Sequence, residues 1–166
     1  HPELTGSLAP LHDRIRQATR ALRAIVRDLP PEALESGLED ALQEQVAQFS
    51  RLSGIPCRLE SEPAAFPTQP DGVLATAVYR VLQESLSNIV RHAQASEVCV
   101  GICRQQHSLS LTVRDNGVGL PEAPAQQRRG SGLRGIAQRV AEAGGCFDIA
   151  STPGCGTALT MSFPIQ

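Results

Sequence analysis

Between Gly72 and Val113 the apolar residues change period, and that change leaves few folds open. Val78, Val81, Leu82, Leu86, Ile89 and Val90 recur at spacings of three and four, which predicts a helix with one buried side over Gly72 to Ala93. Directly afterwards Val98 to Cys103 and Leu109 to Val113 alternate as strands do, joined by a turn near Gln105 to Ser108. An amphipathic helix feeding a hairpin must bury both apolar surfaces against one another, so a sheet covered by helices on one face is expected.

The flanks extend this pattern. Leu38, Leu42, Val46 and Phe49 give the buried stripe of a helix over Gly37 to Ser53, with Gly54 as its C-terminal cap. Ile55 to Leu59 reads as a short strand and Glu60 to Asp71 as a loop. Leu120 to Gly130 is a second loop, and Leu133 to Ala143 a helix ended by Gly144 and Gly145. Cys146 to Ala150 and Thr157 to Phe163 are the last strands, joined by Pro153 to Gly156. Two hairpin pairings imply a mixed or mainly antiparallel sheet. The expected class is α+β, a two-layer α/β sandwich. Before it, Leu11, Ile15, Ala18, Leu22, Ile25 and Leu29 mark a separate helix that Pro30 and Pro31 stop. Its stripe resembles a bundle or dimer seam. The expected division is therefore residues 1–31 and 32–166.

Composition narrows the function. With 41% hydrophobic and 19% charged residues the chain can bury a core, and with 3% aromatics and no Trp that core must be aliphatic. The net charge of -2, without a run of Lys or Arg, argues against direct nucleic-acid binding. No apolar run approaches the ~18 residues of a membrane span, and no signal peptide is visible. The chain starts at His1 without Met, as an excised fragment would. The five cysteines, Cys57, Cys99, Cys103, Cys146 and Cys155, form no CxxC pair. Cys99 and Cys103 share a strand face. Buried free thiols are a better account of them than a metal site.

Four short patterns could carry chemistry. Glu84, Asn88 and His92 stand at i, i+4 and i+8, a polar row on one helix. A carboxylate, an amide oxygen and an imidazole in line can hold a divalent cation and orient a phosphate, because Mg²⁺ takes few protein oxygens and completes its shell with water and phosphate. Asp115-Asn116-Gly117-Val118-Gly119 puts a carboxylate at a strand end, beside glycines that let a ligand approach the backbone. A carboxylate there can accept from an exocyclic amine. Gly130-Ser131-Gly132-Leu133 precedes a helix, where free N–H groups favour anions. Gly154-Cys155-Gly156-Thr157 is a tight turn between strands. Taken singly, these read as a solvated helix face, a common turn, a helix start and a hairpin.

Their order and spacing together are specific. Glu84 to Ala93 resembles the N box of sensor histidine kinases, Asp115 to Gly119 the G1 box, Gly130 to Leu133 the G2 box, and Gly154 to Thr157 the closing Gly-x-Gly-Thr segment. The wider GHKL ATPase superfamily shares the outline. The Asn-x-x-Arg-His-Ala form at Asn88 to Ala93, and the stretch from Arg139 to Gly145, are similar to the subfamily whose partners are helix-turn-helix response regulators. The resemblance spans about Ala21 to Pro164 and implies a Bergerat-type ATP-binding fold, ATP and Mg²⁺ as ligands, and histidine phosphorylation relayed to such a regulator. It also implies a homodimeric full-length protein, and a cytoplasmic location for this part of a membrane-anchored sensor, without membrane contact of its own.

Residue by residue, the resemblance implies that Asn88 holds Mg²⁺ and that Glu84 orients a water or the attacking imidazole and acts as base. Arg91 and His92 lie near the phosphates, with His92 grouped with Glu84 as catalytic. Asp115 accepts from the adenine amine, Gly117 and Gly119 make room for the base, and Thr157 supports that end. Gly130, Gly132 and Leu133 form the phosphate cradle. Leu120 to Arg129 is the lid, with Arg128 and Arg129 as phosphate contacts. The family's phosphoacceptor motif occurs as letters at Leu11-His12-Asp13, but Pro30 leaves no room for a return helix, so His12 reads as a decoy. The helix before Pro30 then corresponds to the end of a dimerisation hairpin whose first helix is missing. Two rival readings are a protein-serine kinase of the anti-sigma-factor type and a non-catalytic ATP-gated module. The first disagrees with the leading helix, the second with the intact Glu84.

Overall fold

The computed structural model describes residues 31–62, 65–67, 71–121 and 131–165. Contacts divide the chain into two compact units, His1–Glu32 and Ala33–Gln166. The helix expected from Leu11 to Leu29, His12, and the lid residues Arg128, Arg129 and Gly130 lie outside the described residues. The second unit carries the sheet and the site.

After a short 3-10 helix at Glu32–Ser36 come α1 (Leu38–Ser53), β1 (Cys57–Ser61), α2 (Gly72–Asn88), a π-helical turn (Ile89–Ala93), β2 (Val98–Gln105), β3 (Ser108–Asp115), α3 (Ser131–Glu142), β4 (Cys146–Ser151) and β5 (Thr157–Pro164). The five strands form one sheet in the order β1-β2-β3-β5-β4. β1 runs parallel to β2, and every other pairing is antiparallel. The mixed sheet and its helical layer agree with the expected two-layer α+β sandwich.

The strand alternation decides which face is covered. Val98, Val100 and Ile102 of β2, Leu109, Leu111 and Val113 of β3, and Leu159, Met161 and Phe163 of β5 are buried. They meet Leu42 of α1, Val78, Val81 and Leu82 of α2, and Ile136 and Val140 of α3 in one core. Removing such surfaces from water contributes roughly 25 cal/mol per Å² of apolar area. Asp71 starts α2 by accepting the Val73 N–H, and Gly54 ends α1 in the left-handed region at φ 71°.

Most element ends differ from the sequence expectation by a residue or two, and three differences bear on the site or its surroundings. β1 lies two residues later than Ile55 to Leu59, because the solvent-facing Arg58 and Glu60 belong to its alternation. α3 begins at Ser131, so Gly132 and Leu133 occupy its first turn. The helix expected over Gly72 to Ala93 is α-helical only to Asn88 and then widens into the π turn. The Ala93 carbonyl there accepts the Val118 N–H at 2.8 Å, and Gln94 follows in the left-handed region at φ 50°. A bond from the turn after β3 thus replaces a regular helix ending.

Candidate functional site: a cavity between α2, α3 and the sheet

The last turn of α2, the π turn, the loop after β3 and the start of α3 surround a cavity of about 410 Å³. This lies within the ~300–1,000 Å³ of small-ligand pockets. Its floor is apolar, from Ile89, Val113 and Leu159, with Leu120 and Leu133 at the sides. Its polar groups include Asn88, His92, Asp115 and Thr157. Gly119, Gly132 and Leu133 complete the set of sequence-selected residues that line it, so all four patterns meet at one place. Glu84, half-buried one turn before Asn88, does not line it, and neither does the exposed Arg91. Gly117 stands just behind the wall.

Asp115 is buried at the end of β3 and pairs with Thr157 across the β3–β5 ladder. Its Oδ1 accepts the Gly117 N–H at 2.8 Å. Burial pushes its carboxyl above the ordinary aspartate value, and the N–H groups of Gly117 and Thr157 pull it back. Gly117 is required where it stands, because a Cβ would collide with the Ala93 carbonyl and crowd Asp115 Oδ1. Close approach of the turn to the π turn is thereby possible only without a side chain.

Asn88 sits on another wall of the cavity. Its Nδ2 is buried and has no hydrogen-bond partner among the described residues. Gly132 packs against this amide so closely that a Cβ would meet Asn88 Oδ1 at 2.6 Å. Ser85, one turn earlier, turns its hydroxyl back to the Val81 carbonyl at 2.6 Å and so presents no free donor.

The model of the histidine kinase-, DNA gyrase B- and HSP90-like ATPases matches residues 74–166, a stretch that includes every residue of the cavity wall. The chain belongs to this family of ATPases. It is 32% identical over 155 residues to the sensor histidine kinase MctS of Rhizobium johnstonii, covering 92% of this chain and 33% of that protein. It is 31% identical over 150 residues to the sensor histidine kinase LiaS of Bacillus subtilis, covering 90% and 40%. The chain therefore spans a third to two-fifths of these relatives. A solved histidine kinase domain of the blue-light activated kinase of Erythrobacter litoralis shares the fold, with a TM-score of 0.66 at 21% identity over 77% of this chain and 61% of that one.

The site fits a nucleotide. It offers a buried acceptor carboxylate, an apolar slot, and an amide group whose Nδ2 lacks a partner among the described residues. An asparagine amide oxygen also suits Mg²⁺, which takes one or two protein ligands beside phosphate. The cysteines give no such fit. All five are free, but none is fully buried as expected: Cys57, Cys99 and Cys103 are half-buried and Cys146 and Cys155 are exposed, and partial burial, with Cys99 nearby, pushes the Cys57 thiol up to about 11. Among the described residues no group of three or more His, Cys, Asp or Glu could hold a metal ion, and no helix is long and apolar enough to cross a membrane.

Two residues with structural roles at the site received no role of their own from the sequence. Asn116 accepts the N–H groups of Ser96 and Glu97 at 2.9 and 3.0 Å and donates to Ser96 Oγ, tying the turn to the start of β2. Ser151, at the end of β4, contacts Leu120, Gly156 and Thr157. The Asn-Gly pair announces a turn but not that distant anchor, and Ser151 belongs to no motif.

Proposed function

We propose that the chain is the ATP-binding catalytic part of a two-component sensor histidine kinase, delivering the γ-phosphoryl group of ATP to a histidine for relay to a response regulator. The observation that carries this reading is the convergence of Asn88, Asp115, Gly132 and Thr157, drawn from four separate sequence patterns, on one cavity. The similarity to proteins named sensor histidine kinases supports this activity over the serine-kinase and non-catalytic readings.

In this reading Asp115 accepts from the adenine amine, Thr157 supports the same end, and Ile89, Val113 and Leu159 contact the base. The Gly132 N–H, with those of Gly130 and Leu133, faces the phosphates at the start of α3, where the helix dipole favours anions. Arg91, His92 and Arg129 add positive or donor groups around them. Mg²⁺ bound at Asn88 would neutralise phosphate charge, the main requirement of phosphoryl transfer. Glu84, outside the cavity wall, would act on the incoming imidazole instead of the nucleotide. His12 would not be the acceptor. The partner would be a regulator with a helix-turn-helix output domain. The full protein would be a homodimer with this part in the cytoplasm below a membrane anchor.

Calorimetry of ATP against GTP, with and without Mg²⁺, tests the reading. Mg²⁺-dependent binding that prefers ATP is expected. Binding of GTP as tight as that of ATP would overturn the adenine assignment.

A further inference from the structure

Ser151 stands at the rim of the cavity without lining it, and its hydroxyl has three neighbours. It receives the Leu120 N–H at 2.8 Å, lies 3.0 Å from the Gly156 carbonyl, and lies 3.0 Å from Thr157 Oγ1. A serine hydroxyl has one proton and two lone pairs. Leu120 N–H can only donate and Gly156 O can only accept, so the serine proton goes to Gly156 when all three contacts are satisfied. The remaining lone pair then faces Thr157, and Thr157 must be the donor. Its single proton is committed to Ser151, which leaves only lone pairs for the cavity.

The surrounding donors are committed in the same way. Asn116 N–H bonds to the Glu97 carbonyl, Gly117 N–H to Asp115, and Val118 N–H to the Ala93 carbonyl. Of the turn between Asn116 and Leu120, Gly119 keeps the one uncommitted N–H among the described residues. Asp115 and Thr157 face each other in register on β3 and β5 and both line the cavity. This end of the site therefore presents two side-chain acceptors.

We propose that Ser151 fixes the Thr157 hydroxyl as an acceptor and thereby makes this end of the cavity select a 6-amino purine over a 6-oxo purine. An exocyclic amine brings two N–H groups and can satisfy both acceptors. A 6-oxo purine sets the lone pairs of its oxygen against these acceptors and leaves N1–H as the one donor on that edge for the two of them, and desolvated acceptors without donors are costly. Ser151 is a positioning residue here, acting through Thr157. The inference deepens the ATP-binding reading and rests on it.

The experiment compares dissociation constants for ATP and ITP, which differ at this edge of the base, on the full 166-residue chain. The parent should prefer ATP. Ser151→Ala frees the Thr157 proton to turn toward a 6-oxo group, so the preference should fall by about tenfold. Ser151→Thr keeps the hydroxyl and should keep the preference. Thr157→Val should lower it, and adding Ser151→Ala to Thr157→Val should lower it no further. If Ser151→Ala weakens ATP and ITP equally, Ser151 only anchors Leu120 and the proposal is overturned. Should Ser151→Ala not fold, a parental preference in Thr157→Val overturns it instead. A parent that binds both equally also overturns it, whereas a parent that binds neither removes the ATP reading of the site, and this inference with it.

Discussion

At the end of the cavity formed by Asp115, Gly119 and Thr157 the chain commits its polar groups to itself. Asp115 holds Gly117, Asn116 holds Ser96 and Glu97, Val118 holds Ala93, and Ser151 holds Leu120. At the end formed by α2 and the π turn, Asn88 Nδ2 is buried without a partner, and Arg91 and His92 are exposed without a hydrogen bond or ion pair among the described residues. The first end is shaped before a ligand arrives. The second carries an unsatisfied amide, which costs stability on the order of 1–3 kcal/mol unless something bonds to it. A recognition surface gains from rigidity, while a group that must grip a phosphate or a cation is left with unused bonding capacity.

The largest expected effect comes from breaking the rigid end. Gly117→Ala would drive a methyl group into the Ala93 carbonyl, which the π turn and the Val118 N–H both hold in place. Backbone cannot yield as a side chain can, so destabilisation of about 2–4 kcal/mol is expected, together with loss of nucleotide binding. Thermal unfolding and calorimetry read both. An unchanged melting temperature would mean that the turn is not fixed at Ala93.

Asp115→Asn keeps the shape of that end and removes its charge. ATP affinity should fall roughly ten- to a hundredfold, the consequence of losing a charged acceptor. Stability should move the other way. Burial raises the Asp115 carboxyl above its ordinary value, so the fold favours the protonated form. The parent is thus penalised once pH rises through that titration, and the amide variant is not. Asp115→Asn should melt higher than the parent at pH 7, with the difference closing as pH falls through the carboxyl's range. A lower melting temperature at pH 7 would show that the bonds from Gly117 and Thr157 outweigh the burial.

Asn88→Ala addresses the loose end. It removes an amide whose Nδ2 has no partner among the described residues, so relief of that penalty should offset the lost packing and leave the ligand-free protein within about 1 kcal/mol of the parent. ATP binding should lose its dependence on Mg²⁺. Titrations at two Mg²⁺ concentrations check this, and a parental dependence would take Asn88 out of the metal site.

This contrast also explains what is legible in the sequence. Local patterns select Asn88, His92, Asp115, Gly119, Gly132, Leu133 and Thr157, and all reach the cavity because helix and strand periods carry facing information directly. Glu84 shares the helical row yet stays off the cavity wall, since a spacing of four residues drifts around an α-helix with 3.6 per turn. Ser151 is invisible in the sequence because its partner Leu120 lies 31 residues away and a serine at a strand end has no period. The π turn cannot be read either, for Ile89 and Ala93 keep the same order in an α-helix. What decides it is the bond from Val118, a contact between segments that only the fold brings together.

The smallest predicted effect lies at the joint between the two ends. Gln94 follows the π turn at φ 50°, a conformation that costs a residue with a Cβ about 1 kcal/mol and costs glycine little. Gln94→Gly should stabilise the chain by at most ~1 kcal/mol, a gain reduced by the greater freedom of glycine in the unfolded state. If the Val118 bond to Ala93 holds the turn, binding of ATP should not change, because that bond and not the side chain of Gln94 sets the path of the backbone. Weaker ATP binding with higher stability would reverse this order of causes. The strained residue itself would then hold the joint, and the rigid end of the cavity would depend on it.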